Sequence, residues 1–235
     1  MFFLNAYNLA IYRPLLNLLV AAYNLIPGHD VGVVIILVTL IIRLILAPFM
    51  HKSLKSQKAM NALQPKLNEL REKHKDDREA QAKAMMELYR EHKVNPASSC
   101  LPLLIQFPIL IALYQVFSKA LHGNLTGLYH FVTNPGALNP KFLHLIDLSQ
   151  PNFVFAILAG AAQYWQSRLL LSKTPSTDPT MKAMNLQTLY VFPVLSVIIA
   201  LRLPAGLPLY WIVTTLFAVA QQYYINRTHQ VNITN

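Results

Sequence analysis

The stretch 31–49, VGVVIILVTLIIRLILAPF, is apolar throughout except for Thr39 and a single cation, Arg43. About 20 helical residues cross the roughly 30 Å hydrocarbon core of a bilayer, so the stretch is long enough to span one. At about 1.5 Å of rise per residue, Arg43 lies roughly 18 Å from Val31 and roughly 13 Å from Lys52, the next Lys or Arg. A centrally placed arginine costs about 2.5–3.5 kcal/mol on insertion scales, and its pKa is too high for deprotonation to relieve that cost. Something must solvate it. Water, neutral polar side chains, lipid phosphate and a transient anionic guest are the options, with snorkelling to the interface as the alternative.

Working outward, the 235 residues are 54% hydrophobic and 13% charged. Soluble domains carry about 25% charged residues, so the composition is that of an integral membrane protein with no room for a large soluble domain beside it. Four more segments approach spanning length: 101–121, 153–171, 189–203 and 208–224. The last two are short and joined by the turn Leu203-Pro204-Ala205-Gly206, which makes them a hairpin within the membrane. Pro102, Pro108 and Pro193 are tolerable there because neighbouring helices and polar side chains satisfy the freed carbonyls.

Residues 1–27 are apolar with a polar stripe, Asn5, Asn8, Arg13, Asn17 and Asn24, at roughly helical spacing. Pro14 is expected to start or kink a helix. A signal peptide is the competing reading, but a positive n-region is missing and the asparagines interrupt the apolar run. The expectation is an amphipathic helix lying in the membrane interface. Residues 51–95 hold 11 of the 20 Lys and Arg and 7 of the 10 Asp and Glu. Met60, Leu63, Leu67 and Leu70 recur as one helix face, Lys75-Asp76-Asp77 breaks the pattern, and Ala80, Ala84, Met85 and Leu88 mark a second helix, with Glu79 and Lys83 one turn apart. An antiparallel helical hairpin outside the membrane follows.

Charge then sets the orientation. With 51–95 cytoplasmic, five spans put the N-terminus outside and the C-terminus inside. The inside carries 15 Lys and Arg, with Arg168, Lys173, Lys182 and Arg227 joining the hairpin's 11. The outside carries four: Arg13, Lys119, Lys141 and Arg202. This is the positive-inside asymmetry, so the net charge of +10 does not point to nucleic acid. The connecting segments are 122–150 outside, 172–185 inside and the tail 225–235 inside, all in a single domain over 1–235.

One cysteine, Cys100, excludes an intramolecular disulfide and a cysteine-based metal site. The eight histidines show no ligand spacing, and His122, His130 and His144 merely share a loop, so no metal or cofactor is expected. No Asp or Glu falls within a span, so Arg43 has no buried carboxylate partner in this chain. Thr39 lies one turn before it on the same helix face. Gln106, Gln115, Gln163, Gln166, Ser196, Thr214 and Thr215 give every other span an amide or hydroxyl. Singly such residues are interhelical glue. Together with an unpaired arginine they suggest a wet cavity walled by helices.

At these residues the sequence resembles the YidC/Oxa-type membrane protein insertases. The resemblance rests on VVIILVTLIIRLILAPF (33–49), LQPKLNELREKHKDD (63–77), VNPASSCLPLLIQFPILIALY (94–114), STDP (176–179) and LPAGLPLYWIVTTL (203–216). It implies five transmembrane helices around a hydrophilic groove open to cytoplasm and lipid and closed outside, in a multi-pass protein of the bacterial plasma membrane. The short form of the family is expected, without the large periplasmic domain and extra leading span of Gram-negative members. By the resemblance Arg43 is the groove arginine, Thr39 the polar residue one turn away, and Gln106 a groove-lining position. Tyr210 and Trp211 lie in the span whose aromatic residues contact the incoming segment. Gln163, Ser196 and Thr214 complete the expected groove. The basic residues Lys66, Arg71, Lys73, Lys75, Arg78 and Arg90 form the expected recruitment surface of the hairpin.

The expected function is insertion of hydrophobic segments of newly made proteins into the bilayer, without catalysis. The expected partners are nascent or small membrane proteins and lipid, with ribosome, targeting factors and Sec translocon as further ones. The tail 225–235, with Arg227 its only Lys or Arg, is unlike the long basic tail of ribosome-docking members. Rival readings are a small-anion pathway centred on Arg43 and an assembly scaffold acting through the hairpin.

Overall fold

A computed structural model describes residues 2–95, 101–120, 123–171 and 179–228. The expectations that fall on 96–100 with Cys100, on 121–122 with His122, on 172–178 with Lys173 and most of STDP, and on 229–235 lie outside the described residues.

Two prolines shape the chain in the same way. Helix α1 (Phe2–Tyr7) runs through a π turn at Asn8–Tyr12 into α2 (Arg13–Leu25), which has Pro14 in its first turn. Far along the chain, α8 (Pro179–Leu186) runs through a π turn at Gln187–Val191 into α9 (Phe192–Ala200), which has Pro193 in its first turn. A proline lacks the N–H for the i→i−4 bond and crowds the carbonyl four residues back. The wider π turn accommodates both, so each helix continues past its proline.

Helix α3 (Val31–Ala62) is capped by Asp30, whose carboxylate accepts from Val33 N at 3.0 Å. The helix continues past Phe49, where the apolar stretch ends: its 32 residues run through Pro48 and include 51–62, the first part of the segment read as the hairpin. Nothing in HKSLKSQKAMNA (51–62) stops a helix, and the break comes at Leu63, just before Gln64-Pro65. The hairpin proper is α4 (Gln64–Lys73) and α5 (Arg78–Glu91). Asp77 caps α5 by accepting from Glu79 N and Ala80 N, each at 3.0 Å. Leu63, Leu67 and Leu88 form its small core, with Leu70, Met85, Tyr89 and Val94 around them. Met60, read from the sequence as part of this face, lies on α3 before the break.

The remaining elements are α6 (Leu101–Ala120), a two-residue antiparallel pair β1 (Lys141–Phe142) and β2 (Ile146–Asp147), α7 (Phe153–Leu170) and α10 (Gly206–Thr228). The strand pair is the one departure from an all-α chain among the described residues. By length and composition two helical runs are apolar enough to cross a membrane, Val31–Ala62 and Lys182–Ala200, with Leu104–Ala120 apolar but shorter. The polar residues Gln163, Gln166 and Arg168 interrupt α7, and Thr214, Thr215, Gln221 and Gln222 interrupt α10.

The core occupies one end of the bundle. On α3 its members are Val31, Val34, Ile35 and Val38, all near the N-terminus; on α6 they are Ala112 to Ala120, near the C-terminus. Phe155 at the start of α7 and Leu207, Leu209 and Tyr210 at the start of α10 join them. Leu125, Val132, Leu138 and Leu148 come from loop 123–150, which covers this end. Helix α10 packs on both α3 and α7, and α9 packs on α7. Gly160 permits the last contact, since a Cβ there would meet Val197 Cγ2 at 2.3 Å.

The N-terminal helix differs from a free interfacial one. Its apolar face, Leu15, Leu16, Leu19, Val20 and Tyr23, is buried in the core against α3 and α6. Its polar stripe clasps the loop. Asn17 is buried; its amide donates to Gly127 O at 3.3 Å and its oxygen accepts from Tyr129 N at 2.7 Å. Arg13 Nε donates to Gly127 O at 3.3 Å, Asn24 Nδ2 to Thr133 O at 2.8 Å, and Tyr23 Oη accepts from Asn139 N at 3.1 Å. The stripe therefore satisfies backbone groups of the irregular part of the loop, outside the short β1–β2 ladder. Asp30 adds a second bond by accepting from Leu143 N. At the α9–α10 turn, Ala205 N donates to Gln150 O at 2.9 Å and Gly206 N to Leu148 O at 3.2 Å, tying the loop to the far side.

Candidate functional site

Just past the core, the buried positions of the same helices turn polar. On α3 the sequence Ile35, Val38, Thr39, Arg43 follows one face by helical spacing, and Thr39 and Arg43 are 2% and 8% exposed. On α10, Tyr210, Thr214 and Thr215 are buried. Thr39 Oγ1 donates to Ile35 O at 2.6 Å, so its hydroxyl is used within its own helix.

Three helices meet at the guanidinium. Arg43 Nη2 donates to Gln106 Oε1 on α6, and Arg43 Nε donates to Thr214 Oγ1 on α10 at 3.4 Å. The Gln106 amide passes the chain on, donating from Nε2 to Tyr210 Oη at 2.6 Å. Tyr210 and Thr214 are one turn apart on α10, so four side chains close a ring across α3, α6 and α10. Arg43's partners among the described residues are all neutral. Hydrogen bonds solvate the cation but leave its charge uncompensated, which keeps an anion attractive there. At about 4 Å and an effective dielectric near 20, a carboxylate would be held by about 4 kcal/mol.

The other expected residues stand apart. Trp211 is half-buried, one residue round the helix from the ring. Gln163 is half-buried on α7, and no described hydrogen bond joins it to Arg43. Ser196 is buried on α9 and donates to Pro193 O at 2.8 Å, a bond within its own helix. One turn beyond Arg43 and Thr214, a cavity of about 460 Å³ opens between α3 and α10, lined by Ala47, Pro48, His51, Phe217, Ala220 and Tyr224 among others. Its lining is mostly apolar.

In the hairpin, Lys66, Lys73, Lys75, Arg78 and Arg90 are exposed, whereas Arg71 is half-buried. Burial raises the Tyr89 phenol above its usual pKa, and the Arg71 charge acts in the opposite direction. Five of the six expected basic residues are thus exposed, and the sixth is half-buried.

Sequence reasoning missed the clasp made by Asn17 and Tyr23 and the double use of Asp30. The asparagine stripe is the one signal of the clasp, and by spacing alone it reads equally as the polar face of an interfacial helix.

A helical membrane protein with a buried arginine at a meeting of three helices is the class these features define. The chain belongs to the family described as 60Kd inner membrane protein, which it matches over residues 22–232. It is 39% identical over 219 residues to the membrane protein insertase YidC of Geobacter sulfurreducens, an alignment covering 92% of this chain and 37% of the relative. It is 36% identical over 217 residues to that of Pelobacter propionicus, covering 92% and 38%. It is 40% identical over 199 residues to that of Magnetococcus marinus, covering 84% and 32%. The chain thus spans less than two-fifths of the length of these relatives. The family and the relatives imply a bacterial inner-membrane protein.

Proposed function

We propose that the chain acts as a membrane protein insertase, taking up hydrophobic segments of newly made proteins through a polar groove around Arg43 and releasing them into lipid. The observation that carries this is the buried guanidinium, whose hydrogen-bond partners among the described residues are all neutral. In this reading α3, α6, α7, α9 with its preceding π turn, and α10 cross the bilayer, with loop 123–150 outside and the hairpin in the cytoplasm. Exposed apolar side chains on each support it: Leu44 and Ile45, Leu104 and Phe107, Ile157 and Leu158, Val194 and Ile198, and Leu216. Patches of that extent are unusual on a protein surrounded by water. The charge asymmetry read from the sequence supports the same orientation.

The segment to be inserted enters from the hairpin side, and acidic groups of its short hydrophilic flank replace Gln106 and Thr214 as partners of Arg43. Tyr210 keeps the Gln106 amide in place as this exchange occurs. Trp211, Gln163 and Ser196 belong to the walls of the groove. The core at the loop end closes the path to the outside, so the flank crosses a shortened apolar barrier. Burial of the segment's apolar surface in lipid, worth about 25 cal/mol per Å², drives release. The exposed basic face of the hairpin captures the substrate or a targeting factor by charge.

The test is reconstitution in vesicles. Arg43→Ala lowers insertion of a substrate with an acidic translocated flank by on the order of tenfold or more, the effect of losing about 1.4 kcal/mol or more of attraction. Arg43→Lys largely retains it, and a substrate with a neutral flank is little affected by either. Full activity of the alanine variant on the acidic flank overturns the role of the charge.

A further inference from the structure

The most exposed large apolar side chain among the described residues is Leu145, at 85%, and Leu143 is 57% exposed. Both lie on the tip that joins β1 to β2. There Leu145 N donates to Phe142 O at 3.0 Å, and the two residues between, Leu143 and His144, have φ of 50° and 63°. A turn with both central residues in the left-handed region normally holds Asn-Gly, because a bulky side chain is strained there. Leu143 is the one apolar side chain in that region among the described residues. Leucine here works against the backbone and against water at once. Such a doubly costly position points to a surface that something other than water covers.

The tip is fixed in depth. One oxygen of Asp30 caps α3 at Val33 N, and the other accepts from Leu143 N. Phe142 rests on Gly32, where a Cβ would meet its ring at 2.1 Å, and that ring lies 6.2 Å from the ring of Phe155 on α7. The tip is therefore level with the first turns of α3 and α7. Residues 31–49 rise by about 28 Å, close to the roughly 30 Å of a hydrocarbon core, so a spanning α3 sets Val31 near its edge. Phe153 and Val154, 66% and 58% exposed, start the apolar face of α7 at the same level. Two residues reach at most about 7 Å, about the thickness of one headgroup layer, so Leu145 meets lipid whichever way the tip leans.

Charge does not compete with this contact. Lys141 and Asp147, partners across the ladder at the base, carry opposite signs, and the tip itself holds no Lys, Arg, Asp or Glu. Apolar burial, and not headgroup charge, is what the tip offers. We infer that Leu143 and Leu145 are immersed in the leaflet at the loop end of the bundle, with the β1–β2 turn resting among the upper acyl chains of its phospholipids. That leaflet is the outer one in the membrane orientation proposed above, on which this inference rests. The cover formed by 123–150 is then fastened to lipid as well as to α2.

The experiment places a nitroxide on His144→Cys, between the two leucines, in a Cys100→Ser background, with the full chain in phosphatidylcholine nanodiscs. Labels on Leu44→Cys, beside Arg43 and 63% exposed, and on Asp76→Cys, in the exposed turn of the helical hairpin, give the lipid and water references. Electron spin resonance reads collision with oxygen relative to collision with a polar nickel complex. The ratio at 144 is expected to exceed that at 76 by about tenfold, because the complex is kept out of apolar surroundings. Adding anionic lipid leaves it unchanged, and Leu143→Asn with Leu145→Asn brings it down to the value at 76. A water-like ratio at 144 with Leu44 in lipid overturns the proposal and leaves the span standing, whereas a water-like ratio at 44 overturns both. An unchanged ratio in the folded double variant also overturns it, and so does dipolar broadening between tips, which makes a second copy the cover. If the labelled chain does not fold, radical footprinting of the unaltered protein in the same nanodiscs decides. Corrected for intrinsic reactivity, Leu145 is then expected to be oxidised about tenfold less than Met86, 61% exposed in the helical hairpin, and equal oxidation overturns the proposal.

Discussion

Among the described residues Arg43 has no counter-ion, and Gln106 is a neutral partner for it. A carboxylate at that position would accept from both Arg43 and the Tyr210 hydroxyl in the same geometry. Gln106→Glu is therefore expected to raise the thermal midpoint in detergent, since the arginine is already desolvated and the new charge meets a partner instead of creating an orphan. The same variant should lower insertion of an acidic flank toward the level of Arg43→Ala, because the groove would carry its own anion. A rise in midpoint without loss of insertion would remove the attraction from the mechanism. Much of this ring could be read from the sequence. Thr39 and Arg43 share a face by spacing alone, and the lack of any intramembrane Asp or Glu made neutral partners necessary. What could not be read was helix rotation. Tyr210 and Trp211 are adjacent, and only packing against α6 decides that Tyr210 completes the ring. Ser196 illustrates the same point, because its hydroxyl finds a carbonyl in its own helix and so gives no sign of what it faces.

Elements in this chain are delimited by backbone chemistry more than by apolar runs. The apolar stretch ends at Phe49, yet α3 continues to Ala62 because 51–62 contains no Gly or Pro and interleaves Lys, Gln, Leu, Met and Ala with its weaker helix formers, and the helix breaks just before Gln64-Pro65. Hydropathy therefore marks the apolar part of α3 and carries no information on where the helix ends. Contact between helices rests on small residues. At Gly160 a side chain would be forced into Val197, so Gly160→Val should cost about 1–3 kcal/mol through overpacking, measured as a drop in thermal midpoint. Combining it with Val197→Ala should recover a substantial part, and a cycle with no coupling would place the strain elsewhere. The hairpin stands on three buried leucines, so Leu67→Ala should destabilise it by about 2–5 kcal/mol. Hydrogen exchange should then rise across 64–91 and stay unchanged in α6 and α7, as expected for a small core independent of the main one.

On the scale of the molecule, stability is concentrated at the end covered by loop 123–150, and the N-terminal helix is what fastens that cover. Asn17→Ala leaves Tyr129 N without its acceptor at a buried position, at an expected cost of about 1–3 kcal/mol, and should expose 127–133 to protease before any other described segment. Composition announced the membrane class and the asparagine stripe announced an amphipathic helix. The loop's dependence on that stripe was invisible, because an irregular backbone leaves no period in the sequence from which its partners could be inferred. The one-ended core also has a mechanical meaning. Helices packed on a large core at one end, and joined at the other mainly by side-chain caps such as Gln222 to Leu169 O, pivot about the core. At about 1.5 Å per residue, the 23 residues of α10 form a lever of about 34 Å, so a tilt of about 5° at the core moves its far end by about 3 Å. Motion of that size opens room for a side chain near the hairpin while the core end barely stirs, and in the proposed orientation this would widen the molecule on one side of the bilayer and leave the other side closed.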